Sequence, residues 1–264
     1  AALVSAGQIE APEEELLAAA REPEAALALA QAAGHLSPEH VAAITPALIE
    51  SGLRARVELA RSLAAQPQID HVATLIELLG WREPRHHARE ALLQLGDEAL
   101  AALGDALEDD SLPHNIRLHL PRTISRFHGE RAVEILVERL ARERDRRVVL
   151  KILRGLGRMR TDEPSLPIDR AEVLAVAEQT LQESGNALFW RLAVGKIVAT
   201  FQGAMTPASE LLVDFLNEKH EGALQRVFRL LHILEPSQEF RIIYDGLRSD
   251  DAKTQASSRE LLSN

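Results

Sequence analysis

Apolar residues recur along this chain at fixed offsets from a series of arginines. Counting 3, 6, 7 and 10 residues on from Arg117 gives Leu120, Thr123, Ile124 and Phe127. The same count from Arg56 gives Leu59, Ser62, Leu63 and Gln66; from Arg85 it gives Ala88, Ala91, Leu92 and Leu95; from Arg146 it gives Val149, Ile152, Leu153 and Leu156. Arg191 continues the series with Val194, Ile197, Val198 and Phe201, and Leu224 replaces the arginine while keeping Val227, Leu230, Leu231 and Leu234. These offsets fall within one stripe of a helix with 3.6 residues per turn, so each start predicts a helix with a single buried face.

Successive starts are 29, 32, 29, 45 and 33 residues apart. Between them lie second apolar-periodic runs such as HVATLIELLG, DEALAALGDAL, ERAVEILVERL and QEFRIIYDGL. Each repeat is therefore a helix pair that needs its neighbours to cover its apolar side. The 45-residue step is explained by RTDEPSLPID, whose two prolines and acidic residues break the helical pattern. This divides the chain into a helical cap region over 1–53, repeats over 54–160, an inserted loop over 161–169, and further repeats over 170–264, the last of them incomplete. Within the cap, Pro12 to Ile49 reads as about three alanine-rich helices, with Ser37 as an N-cap before Pro38. The fold class is all-α, an α-solenoid of stacked helix pairs.

Composition agrees and narrows the function. Aromatic residues make up 3% of the 264, and glycines and prolines number 14 and 12. A net charge of -10 argues against nucleic acid as the main partner, because that binding is dominated by phosphate neutralisation. No cysteine is present, so thiolate chemistry, disulfides and Cys-ligated zinc are excluded from the chain, and a reducing, cytoplasmic setting is expected. No apolar run approaches the roughly 20 residues that span a bilayer. The sequence starts at Ala1 and stops at SSRELLSN, inside a helical pattern, and so reads as part of a longer protein.

Candidate chemistry is sparse. His114 and His119 are about 140° apart on a helix, His128 ends the run, and the neighbours His86 and His87 point about 100° apart, so none forms the i, i+4 pair of a helical metal site. Gly155 to Gly157 lies inside a helical run and follows no strand, unlike a phosphate-binding loop. No cofactor is asked for. Glu13 to Glu15 and Glu108 to Asp110 read as helix-dipole partners and solvated loop, Ser111 as an N-cap, and Pro121 as the cause of a kink. Trp81 and Trp190 read as packing between repeats.

One constellation stands out. Arg147, Lys151, Arg154 and Arg158 are spaced 4, 3 and 4 and form a cationic stripe opposite the apolar face of their helix. Arg122 and Arg126 occupy a nearby sector of the preceding equivalent helix, where stacking would set them beside that stripe. These six residues are the candidate partner-binding patch, suited to an acidic peptide, a phosphate group or an anionic headgroup. The competing reading is a surface ladder neutralised by carboxylates of neighbouring repeats.

The stretches DDSLPHNIR and RERDRRV, in which an acidic loop leads into a helix opening with an aliphatic residue and Arg, resemble HEAT repeats. LPHNIRLHLPR, RRVVLKILRGLGRMR and RVFRLLHILEPSQEFRIIYDGLRSDDAKTQASSRELL resemble more closely the HEAT domains of bacterial major-facilitator or nucleotide-transporter-like membrane proteins. The resemblance implies a non-catalytic protein-interaction or regulatory scaffold on the cytoplasmic side of a larger protein, reaching a membrane only through flanking segments. HEAT-like enzymes acting on bilins, and DNA glycosylases that hold duplex in a basic groove, are the alternatives. The acidic charge weighs against the second.

Overall fold

The computed structural model describes residues 12–200, 206–236 and 240–263, and among these every regular element is a helix. The chain divides into two compact units, 1–132 and 133–264. The loop after residue 162, expected as the chief internal boundary, lies inside the second unit.

The first unit opens with α1 (Glu13–Arg21), α2 (Pro23–Ala32) and α3 (Pro38–Ser51), the three short helices the alanine-rich pattern predicts. Ser37 caps α3, its Oγ accepting from the His40 amide, and Pro38 follows at the first helical position, where its missing donor costs nothing. The unit continues with α4 (Leu53–Ala65), α5 (Val72–Leu78), α6 (Arg85–Gln94), α7 (Asp97–Glu108), α8 (His114–Arg117) and α9 (Leu120–Ile124). Contacts run between helices two apart: α1 with α3, α2 with α4, α4 with α6, α5 with α7 and α7 with α9. The core follows the predicted stripes, with Leu59, Leu63, Ala88, Ala91, Leu92, Leu120 and Ile124 fully buried.

Two local expectations are corrected here. Ser111 is no N-cap: Asp109 organises the turn instead, accepting from both the Ser111 amide at 2.8 Å and the Ser111 hydroxyl at 2.6 Å, and Pro113 precedes α8 without a side-chain cap. Pro121 does not kink a continuous helix. The helix stops after Arg117 and restarts at Leu120, which places Pro121 in the first turn of α9, where a proline lacks no bond it would otherwise make.

α10 (Glu130–Arg142) crosses the division between units. The second unit then contains α11 (Arg146–Asp162), α12 (Arg170–Thr200), α13 (Pro207–Leu234), α14 (Phe240–Leu247) and α15 (Ala252–Ser263). α12 and α13 form its long antiparallel pair, α13 also packs on α11 and α14, and α14 packs on α15. The buried positions of α12 are Val173, Ala177, Thr180, Ser184 and Ala187, a 4-3-4-3 spacing of small residues that lets α13 approach closely. Polar contacts fix the register: Ser184 Oγ lies 2.9 Å from His220 Nδ1, Arg191 donates to Asn217 at 3.0 Å, and Arg170 donates to the Leu234 carbonyl at 2.9 Å.

The Arg191 repeat start fails. Ile197 is 57% exposed, Val194 and Val198 are half-buried, and Phe201 lies outside the described residues. Nor is Trp190 a packing residue between repeats: it is 59% exposed, and Phe189, Leu192, Leu211 and Phe215 of α12 and α13 are exposed as well. Trp81, at 36%, lies under the Arg56 guanidinium at 4.0 Å, a cation–π contact at the surface.

Candidate functional site

Of the six candidate cations, Arg122 and Arg126 belong to the first unit and Arg147, Lys151, Arg154 and Arg158 to the second. The latter four stand on α11, whose N-cap Asp145 accepts from the amides of Arg147 and Val148 at 2.8 and 3.3 Å. The helix buries Val148, Ile152, Leu153, Gly155, Leu156 and Met159; Val149, placed in the core by the repeat, is half-buried and Val148 takes its place. Arg147, Arg154 and Arg158 are exposed and Lys151 is half-buried.

The stripe serves two hollows. Arg147 borders one of about 560 Å³ together with Arg146, Lys219, Arg226 and Arg248. Carboxylates reach that one: Glu183 lies 3.2 Å from Arg226 and 3.8 Å from Arg146, and Glu221 pairs with Arg248. These carboxylates neutralise Arg146, Arg226 and Arg248, the cations that surround Arg147 in this hollow.

Arg154 and Arg158 border a cleft of about 640 Å³ between α11, α13 and α14. Among the described residues neither makes an ion pair or a hydrogen bond. Opposite them α13 contributes Phe228, Arg229 and His232, and α14 contributes Ile242, Tyr244 and Asp245. The rings of Phe228 and Tyr244 are 5.2 Å apart, and the Tyr244 hydroxyl accepts from Arg248 at 2.8 Å. Gly157 faces the imidazole: a β-carbon there would make an ordinary contact with His232 Cδ2 at 3.6 Å.

The role of His232 Nε2 follows from its neighbour. Thr161 donates its hydroxyl hydrogen to the Gly157 carbonyl at 2.8 Å, so the 3.2 Å contact between Thr161 Oγ1 and His232 Nε2 needs the imidazole as donor. Nδ1 is buried and has no hydrogen-bond partner among the described residues. The cleft therefore combines guanidinium groups and an aromatic floor beside a buried imidazole. Sequence reading missed Arg229, His232 and Tyr244 because they lie on α13 and α14, far along the chain from α11, His232 being 71 residues beyond Thr161; the only signal was the dense aromatic and basic run RVFRLLHILEPSQEFRIIY.

In the first unit, Arg126 lies 3.3 Å from Glu90 of α6, and Arg122 is exposed at the middle of α9. Two more arginines of α6, Arg85 and Arg89, gather with them. The repeat used Arg85 only as a marker and left Arg89 unremarked.

Among the described residues no group of three or more His, Asp or Glu side chains is placed to hold a metal, and no helix is long and apolar enough to cross a membrane. Protein-family models, curated proteins and solved structures were all compared with the chain, and none matches it.

Proposed function

We propose that this chain is a non-catalytic protein-interaction module built on HEAT-type helix pairs, and that the α11–α13–α14 cleft takes an acidic segment of a protein partner. The observation that carries the reading is the state of Arg154 and Arg158: two exposed guanidinium groups that form no ion pair among the described residues, in a chain of net charge -10, above an apolar floor. An acidic segment with an aromatic or aliphatic anchor matches both features, because guanidinium forks bind carboxylates bidentately and Phe228, Ile242 and Tyr244 accept the anchor. Two further observations support the repeat reading. Helices two apart are in contact through the first unit, and the buried Arg117 at the start of a repeat pairs with loop residue Asp110 at 2.9 Å. By its sequence resemblance to domains of transporter-like bacterial proteins, the proposed setting of such a module is the cytoplasmic side of a larger assembly.

The test is binding of a fluorescent acidic peptide containing one Phe or Tyr, with vesicles of anionic lipid as a second probe. Arg154→Glu with Arg158→Glu should weaken the peptide by about tenfold or more while leaving the thermal transition in place, since neither side chain is buried. Binding should also fall between low salt and 0.5 M salt, where exposed charges are screened within roughly 5 Å. Equal peptide binding by both proteins would overturn the proposal, as would binding of vesicles alone.

A further inference from the structure

The arginine cluster of the first unit is independent of that cleft. Arg85 and Arg89 are one turn apart on α6. Arg85 is held by the chain, its Nε donating to the Leu79 carbonyl at 2.6 Å and its Nη2 to that of Gly80 at 3.4 Å. Arg89 is 5% exposed, and its Nε donates to Thr123 Oγ1 on α9 at 3.3 Å. The Thr123 hydroxyl is already spent on the His119 carbonyl at 3.0 Å, so Thr123 serves Arg89 purely as an acceptor. Arg89 Nη2 is buried and has no hydrogen-bond partner among the described residues. Arg122 precedes Thr123 in the chain, and Arg126 follows one turn later with Glu90 as its contact.

The charges do not balance. Arg122 acts on both Arg85 and Arg89, Arg82 acts on Arg85 and Arg126 on Arg89, against Glu83 beside Arg85 and Glu90 beside Arg89. His86 Nδ1 lies 3.8 Å from the same Glu90 oxygen that Arg126 uses, so that carboxylate is shared. Burial, reinforced by repulsion from Arg122, Arg126 and Arg85, brings the Arg89 pKa down to about 10. A fold gains nothing from such crowding, since like charges repel and a buried guanidinium without full hydrogen bonding is costly.

We infer that Arg85, Arg89, Arg122 and Arg126 form an oxoanion site, with Arg122 and Arg126 as the exposed clamps on a phosphoryl-type ligand of two or more negative charges and Arg89 as the buried charge behind them. A single carboxylate would leave most of the excess in place, whereas a phosphoryl group offers several acceptors to two guanidinium forks and offsets more of the charge. Because the site lies in the first unit, it can stand or fall without the peptide cleft.

The experiment is a thermal and calorimetric titration of the whole chain with inorganic pyrophosphate, against sodium chloride at matched ionic strength and acetate as a carboxylate control. Pyrophosphate should raise the melting temperature more than either control, and Arg122→Gln with Arg126→Gln should weaken it by about tenfold or more. Arg122→Gln alone should melt, without pyrophosphate, no lower than the parent, because it relieves repulsion. A purely structural Arg122 would lower the melting point in every buffer. An equal pyrophosphate effect in the double variant, or one no larger than that of chloride, would overturn the site.

Discussion

His71 shows what burial does to one side chain. It is 1% exposed at the entry to α5, and neither ring nitrogen has a hydrogen-bond partner. Burial holds its pKa below the usual 6.5, against the opposing pull of the neighbouring Asp70. The unfolded chain therefore takes up this proton more readily than the folded one. Its contribution is complete above pH 6.5 and is lost as the pH falls through the depressed folded value. Urea titrations at pH 7.5 and 5.5 should show that His71→Phe reduces the acid-induced loss of stability seen in the parent; an unchanged difference would mean that other groups carry it. Single residues also mark where the periodic pattern stops being informative. Leu153 and Leu230 are buried as the stripe requires, yet Leu231, equally central in the repeat, is half-buried.

Elements were legible in the sequence wherever one apolar face repeated. Amphipathic α10 and α11 and the capped α3 follow from local pattern and cap chemistry. α12 was not, because its apolar residues surround the helix and the repeat frame counted Ile197 and Val198 instead of the small-residue seam that packs. Glycines test this contrast. A β-carbon on Gly34 would sit 2.9 Å from the Ser62 carbonyl oxygen on α4, where the Gly34 amide donates to Ser62 Oγ at 2.9 Å. Gly195 on the exposed part of α12 would meet nothing within 4 Å. Gly34→Ala should cost about 1–3 kcal/mol by overpacking, and Gly195→Ala should gain roughly 0.5–1 kcal/mol from helix propensity, both read from chemical denaturation. The opposite order would mean that α12 does not continue through 195. The same reasoning explains the site: the α11 stripe was readable from spacing, whereas the partners that make a cleft of it come from helices far along the chain, and no local rule reports which helices meet.

At the scale of the molecule, two compact units share one chain without a cysteine between them. The sequence holds two tryptophans, and the division gives each unit one: Trp81 in the first and Trp190 in the second. Their surroundings differ, Trp81 lying under Arg56 and Trp190 standing 59% exposed with its ring edge on Phe189 at 5.5 Å. Acrylamide should quench Trp190 more strongly than Trp81, measured in Trp81→Phe and Trp190→Phe. The placement also makes the chain its own two-channel calorimeter. Each single-tryptophan protein reports the melting of one unit, so the gap between two fluorescence midpoints reads out how far the halves unfold as a single cooperative system or as two.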